Sequence, residues 1–219
     1  MNIFRVLRLP DVLSLLNALF GFCALLAAYI HQPYLSAVLV FFSGASDGMD
    51  GFLARRFSNS QLGPSLDSLA DLISFGAAPA FLAITLSGLS LQSLIAGAVY
   101  LICGTLRLAR FNVSSKSDNL FEGFPITASG IAVAASVFLE SPTITLILMI
   151  VLSAFMVSSV SYPKVRDYRF VAALVAVFLA AAALFWHENN VLYPAVLLFL
   201  SMMVYLASPV VIEYIRKRR

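Results

Sequence analysis

The sequence is short of charged residues. Only 11% of its 219 residues are Asp, Glu, Lys or Arg, whereas soluble globular proteins carry roughly 25%. Apolar residues make up 61% of the chain, and the mean hydropathy is +0.93. This composition excludes an ordinary soluble domain and predicts a membrane protein.

Cysteine is scarce, and no cleavable signal peptide is evident. Cys23 and Cys103 both stand in apolar runs, which favours packing over a disulfide or a metal site. The first apolar run is long enough to span a bilayer, and its small residues form no clear cleavage site. The isoelectric point near 9.0 does not indicate a nucleic-acid partner, because basic residues in such a chain mark cytoplasmic loops.

Apolar runs of the length needed to cross a bilayer, about 20 residues, recur along the chain. They predict an all-α, polytopic transmembrane bundle that forms a single domain over residues 1–219. The predicted spans are about 12–30, 34–55, 66–86, 91–111, 124–139, 143–161, 170–186 and 191–213. With eight spans, all fourteen Lys and Arg residues fall on one side of the membrane or at adjoining helix ends. This asymmetry predicts a multi-pass protein of the cell membrane with both termini in the cytoplasm.

Four aspartates interrupt the second and third of these runs. Asp47 and Asp50 lie near the cytoplasmic end of the second span, and Asp67 and Asp71 lie near the start of the third. Carboxylates within a span are costly and call for a functional explanation. At about 100° per residue, each pair projects to one side of its helix. Four oxygen donors at one depth predict a site for Mg²⁺, Mn²⁺ or Ca²⁺, and two ions could clamp a pyrophosphate.

Small and basic residues beside the aspartates fit a nucleotide pocket. Gly51 and Ala54 would leave room, Arg55 can pair with a phosphate, and Gly63 begins a helix with exposed N–H groups. Close helix packing around buried polar residues would explain small residues and isolated acids equally well. A cation transporter is another alternative, although transport predicts acids spread along a path rather than gathered at one depth.

The motif resembles the signature of the CDP-alcohol phosphotransferase family, D-x2-D-G-x2-A-R followed by G-x3-D-x3-D. Every fixed letter is present: Asp47, Asp50, Gly51, Ala54, Arg55, Gly63, Asp67 and Asp71. The resemblance implies an enzyme in which an alcohol displaces CMP from a CDP-linked lipid, with the four aspartates holding two Mg²⁺ or Mn²⁺ ions. It also implies that Asp71 is the general base and that the two glycines, Ala54 and Arg55 line the cytidine diphosphate.

The first helix adds a weaker resemblance to the same family. Its start is similar to the Pro-Asn-x-x-Thr segment that approaches the nucleotide in family members, with Asp11 and Ser14 as departures from that pattern. The further residues expected to contact the CDP-lipid are Pro10, Asp11, Val12, Leu13, Ser14 and Ser60.

Within the family, the segments 67–80, 107–112, 123–125 and 157–163 are most similar to membrane-embedded phosphatidylserine synthases. The resemblance implies that L-serine attacks CDP-diacylglycerol or CDP-archaeol by direct displacement; glycerol phosphate and inositol phosphate are the alternative acceptors. Arg110 and Asn112 are the preferred serine contacts, chosen over Arg107 and two cations of a nearby loop. Membrane lipids and a second copy of the chain in a homodimer are the other expected partners, and no nucleic acid is expected.

Overall fold

Helices form nearly all of the protein that the structure describes. The computed structural model describes residues 6–56, 60–113, 120–163, 180 and 192–217. The helices are α1 (Leu9–Tyr29), α2 (Pro33–Arg56), α3 (Gly63–Leu86), α4 (Leu91–Val113), α5 (Ile126–Leu139), α6 (Pro142–Val157) and α7 (Leu192–Lys217). Helix α3 contains a π-helical segment, Leu72–Ala77, and α5 ends in a 3₁₀ turn, Val137–Leu139.

The all-α prediction is confirmed. A helix occupies every predicted segment except 170–186, which lies outside the described residues apart from Ala180. The helix ends agree with the predictions to within roughly one turn. The sequence did not predict β1 (Leu120–Glu122) and β2 (Ser161–Pro163), which pair antiparallel. Strands of three residues are too short to give a recognisable alternating pattern.

Helix α1 carries its large apolar side chains on the outside and its small or polar ones on the inside. Leu15, Leu19, Phe22 and Leu26 follow one another at helical spacing and are 45–53% exposed. The opposite face, which includes the buried Asn17, packs within the bundle. A soluble protein has the reverse arrangement, so the exposed face fits a hydrocarbon environment.

Length and apolar character identify candidate membrane spans among the described residues. Helices α1, α3 and α4 are long and apolar enough to cross a bilayer. Helices α5 and α6 are apolar but shorter, as is the Ala195–Leu206 part of α7. The chain is therefore a membrane protein.

Two glycines hold the π-helical segment of α3 in close contact with its neighbours. A Cβ atom at Gly21 of α1 would lie 2.7 Å from Ser74 Cα, and one at Gly130 of α5 would lie 2.7 Å from Phe75 Cα. Real Cβ atoms do not approach so closely, so both positions require glycine at this helix spacing. These contacts fix the position of α3 at Ser74 and Phe75, about one turn after Asp71.

Candidate active site

Three aspartates from two helices converge at one end of the bundle. Asp47 of α2 and Asp67 and Asp71 of α3 each offer a carboxylate oxygen, and these oxygens all lie within 4.8 Å of one another. Asp71 is buried, whereas the other two are partly buried. Three carboxylates at this range repel one another unless a cation lies between them. Hard oxygen donors suit a divalent ion such as Mg²⁺ or Mn²⁺, so the donor set fits a metal site.

The fourth predicted aspartate, Asp50, lies beside the cluster and is turned towards α1. Its side chain is 6% exposed, and its Oδ2 accepts a hydrogen bond of 2.6 Å from Ser14 Oγ. Asp50 is not among the three residues whose oxygens meet. Ser14, expected to contact the CDP-lipid, therefore holds an aspartate of the motif in this structure.

Asn17 was not predicted as a site residue, yet it contacts Asp71, the most buried aspartate of the cluster. Its Nδ2 donates a hydrogen bond of 3.2 Å to Asp71 Oδ1, and its side chain is fully buried. Its own Oδ1 has no hydrogen-bond partner. Asn17 follows Ser14 by three residues and therefore shares its helix face. That spacing was the available signal, because a polar residue inside a span usually faces the bundle interior.

Thr127 and Arg107 are two further neighbours of the cluster. The Thr127 side chain forms a hydrogen bond with Asp47, which links α5 to the site. Arg107 of α4 is 8% exposed and lies within electrostatic range of the three clustered aspartates. The sequence around these two residues did not mark them as site residues. Thr127 stands in an apolar helix, and the positive-inside rule alone could explain Arg107.

Three of the predicted CDP-lipid residues form a network that joins the start of α1 to the start of α3. Asp11 accepts hydrogen bonds from Arg8 N at 2.6 Å and from Ser60 Oγ at 2.8 Å. Ser60 Oγ in turn accepts a hydrogen bond of 2.9 Å from Gly63 N. A Cβ atom at Gly63 would lie 3.2 Å from Asp11 Oδ1, which is tighter than usual packing. The network ties residues 60–63, at the start of α3, to the first helix.

The other predicted residues of the first helix do not share one environment. Pro10 is buried in the first turn of α1, and Val12 is 46% exposed on its outer face. The Leu13 carbonyl accepts a hydrogen bond of 2.9 Å from Ser46 Oγ. Leu13 therefore ties α1 to α2 through its backbone.

Gly51 faces open space, since no atom lies within 4 Å of the position that a Cβ atom would take. Ala54 and Arg55 belong to the last turns of α2, but their side chains lie outside the part of the chain that the structure describes. Asn112 Oδ1 accepts a hydrogen bond of 3.1 Å from Ser68 Oγ at the surface. Open space is thus present beside Gly51.

Arg110, the preferred serine contact, is bonded to the backbone of the neighbouring loops. Its guanidinium donates to the carbonyl oxygens of Glu122 at 2.8 Å, Met156 at 3.0 Å and Ser158 at 3.1 Å. It also lies 4.0 Å from Glu122 Oε2. Arg110 therefore connects the end of α4 to the segments that precede α5 and follow α6.

Comparison with known proteins identifies the family. The model of the CDP-alcohol phosphatidyltransferase family matches residues 7–182, which include all four aspartates and the whole of α1 to α6. The chain belongs to the CDP-alcohol phosphatidyltransferase family. The resemblance seen in the aspartate motif is thereby confirmed.

Relatives of this CDP-alcohol phosphatidyltransferase carry consistent names. Archaetidylserine synthase of Methanothermobacter thermautotrophicus is 33% identical over 166 residues, which are 73% of this chain and 71% of the relative. CDP-diacylglycerol–serine O-phosphatidyltransferase of Methanocaldococcus jannaschii is 33% identical over 172 residues, covering 78% and 81%. The protein of the same name from Bacillus subtilis is 34% identical over 164 residues, covering 73% and 92%.

Proposed function

We propose that this protein transfers the phosphatidyl group of CDP-diacylglycerol to the hydroxyl of L-serine, forming phosphatidylserine and CMP. The observation that carries the proposal is the convergence of Asp47, Asp67 and Asp71 in a chain of this family. The names of its relatives support serine as the acceptor. Because one relative is named archaetidylserine synthase, CDP-archaeol is the corresponding ether-lipid substrate.

The four aspartates are the residues that would hold the metal. Asp47, Asp67 and Asp71 already offer oxygens to a common point, and Asp50 lies beside them. Two divalent ions, Mg²⁺ or Mn²⁺, fit these hard donors and would neutralise charge on the pyrophosphate.

Asp71 is proposed as the general base. In the reaction, the serine hydroxyl oxygen forms a bond to the lipid-side phosphorus, and the bond from that phosphorus to the bridging oxygen breaks. CMP leaves with the bridging oxygen, while Asp71 accepts the hydroxyl proton. Asn17 Nδ2 would orient the Asp71 carboxylate through Oδ1, leaving the other oxygen to take the proton.

The CDP portion is proposed to lie between the start of α1 and the end of α2. Gly51 faces open space there, and hydrogen bonds through Ser60 connect Asp11 of α1 to Gly63 at the start of α3. Arg55 would pair with a phosphate of the diphosphate. The hydroxyl of Ser14 would keep Asp50 aligned with this pocket.

We further propose one domain over residues 1–219 with eight spans, cytoplasmic termini and a cytoplasmic active site. The confinement of Lys and Arg to one side of the predicted topology supports this arrangement. Soluble serine and CMP would then exchange directly with the cytoplasm. A homodimer remains an expectation from the family resemblance.

CMP release tests the proposal. The full-length protein in detergent is incubated with CDP-diacylglycerol, L-serine and Mn²⁺ or Mg²⁺, and CMP and phosphatidylserine are measured. Asp67→Asn should remove the activity, whereas Glu140→Gln should not. Glu140 lies in the turn between α5 and α6, and the acidic cluster contacts α5 at its opposite end. Turnover only with glycerol phosphate or inositol phosphate would reject serine but keep the enzyme class. No CMP release with any alcohol would reject the class as well.

A further inference from the structure

We infer that Arg107 binds the carboxylate of the amino-acid acceptor and is the residue that selects serine over alcohols that lack a carboxylate. The inference rests on the proposed function. It assigns to Arg107 a role that the sequence analysis gave to Arg110.

Arg107 is a buried cation held at the acidic cluster. It lies within electrostatic range of Asp47, Asp67 and Asp71. However, among the described residues no ion pair of 4.0 Å or less joins it to any of them. The guanidinium therefore lies near the acidic cluster without a direct ion pair to it, which leaves its donors available to a substrate carboxylate.

An aromatic ring on the next helical turn supports the guanidinium. Arg107 Cζ lies 5.5 Å from the centre of the Phe111 ring. Such a contact attracts the cation to the ring face and limits the directions in which its N–H groups can point. A fixed guanidinium presents parallel N–H donors that match the two oxygens of one carboxylate.

The chemistry of serine fits the two groups together. Its hydroxyl must reach Asp71, and its carboxylate is attached only one carbon further along the molecule. A binding group for that carboxylate must therefore lie beside Asp71, and a cation is well suited to the role. Arg107 meets both requirements, because it is a buried cation of α4 that lies within electrostatic range of Asp71.

Arg110, one turn away, is less free to bind a ligand. Its guanidinium already donates to the carbonyl oxygens of Glu122, Met156 and Ser158. Breaking these bonds would leave the carbonyl groups without their donor. The two arginines thus form a matched pair in one helix, one facing the acids and one bonded to backbone.

Acceptor selectivity tests the inference. L-Serinamide keeps the hydroxyl and the ammonium group of serine but replaces the carboxylate with a neutral amide. For the wild-type protein we expect kcat/KM to be roughly 10- to 100-fold higher with serine, the range given by a charge-assisted hydrogen-bonded pair. Arg107→Gln should remove most of this ratio by raising KM for serine, while KM for CDP-diacylglycerol stays within about threefold.

Two other variants separate recognition from a structural effect. Arg110→Gln should lower the rates with serine and serinamide by the same factor, because it disturbs the fold rather than the ligand. Arg107→Lys keeps the charge but loses the planar pair of donors, so part of the selectivity should remain. If Arg107→Gln does not fold, the lysine variant decides: a serine preference equal to that of the wild type would overturn the inference.

Three further outcomes would also overturn it. These are a wild-type protein that does not distinguish serine from serinamide, an Arg107→Gln variant whose two rates fall equally, and an Arg110→Gln variant that alone loses selectivity. Wild-type turnover with another alcohol but none with serine would instead refute the serine assignment, and this inference with it. The assay of the wild-type protein therefore tests the proposed function separately, before any variant is made.

Discussion

Replacing Asn17 tests whether the hydrogen bond beneath Asp71 sets the geometry of catalysis. Asn17→Leu removes the Nδ2 donor, which lies 3.2 Å from Asp71 Oδ1, and keeps a similar side-chain volume. A hydrogen bond to a charged group contributes about 1.5–3 kcal/mol, and the length of this bond favours the lower limit. We therefore expect kcat to fall by roughly tenfold, since about 1.4 kcal/mol corresponds to that factor.

The same substitution should change stability little. Asn17 Oδ1 is buried and has no partner, so the wild-type side chain already carries a desolvation cost of about 1–3 kcal/mol. Leucine removes both this cost and the bond to Asp71. A large loss of kcat with little change in Tm would therefore separate orientation of the base from damage to the fold.

Asn17→Asp extends the experiment, because it replaces a hydrogen-bond donor with a carboxylate in a side chain of the same shape. It replaces the donor with a fourth carboxylate beside three others, so kcat should fall further than in the leucine variant. Ser129→Ala is the matched control, since Ser129 Oγ is also buried without a partner but belongs to α5. The assay is CMP release at saturating serine and CDP-diacylglycerol. Wild-type kcat in Asn17→Leu, or equal losses in the leucine and aspartate variants, would refute the reasoning.

Further predictions concern the metal, the base and the helix contacts. Chelation with EDTA should abolish CMP release and Mn²⁺ or Mg²⁺ should restore it; activity that survives chelation would contradict a metal site. Asp71→Asn should lower kcat by roughly 100- to 10,000-fold with CDP-lipid binding retained, and near-normal turnover would exclude Asp71 as the base. Gly130→Val should lower the free energy of unfolding in detergent by about 1–3 kcal/mol, because its Cβ would lie 2.7 Å from Phe75 Cα. Gly48→Ala is the control for that measurement, since no atom lies within 4 Å of its added Cβ; equal losses would show that the close contact is not the cause.

The helices could be predicted because their signal is local. Each described helix coincides with an apolar run of the expected length, and the turns between them contain the polar residues. The sequence did not predict the two strands, because a strand of three residues is too short to show an alternating apolar pattern. The π-helical segment Leu72–Ala77 also escaped, since its residue types would suit an ordinary helix.

The candidate site could be predicted only in part, because helical spacing describes one helix at a time. Spacing placed Asp67 and Asp71 on one face, and the structure keeps them together. The same reasoning grouped Asp47 with Asp50, yet Asp50 turns towards Ser14 of another helix. Which helix lies opposite a given face is set by tertiary packing, and so the bond between Asn17 and Asp71 could not be read from either segment alone.

The π-helical turn also governs the register of α3. Hydrogen bonds from residue i to i+5 take up one more residue per turn than those of an α-helix, which rotates the two flanking parts of α3 relative to each other. Asp67 and Asp71 can thus face Asp47 of α2, while Ala78 and Leu82 face the core. Deleting one residue within the turn would restore an even helix and swing the aspartates by about 100°. The hydropathy of α3 would survive such a deletion, so hydropathy alone would not reveal that the helix had lost its acidic face.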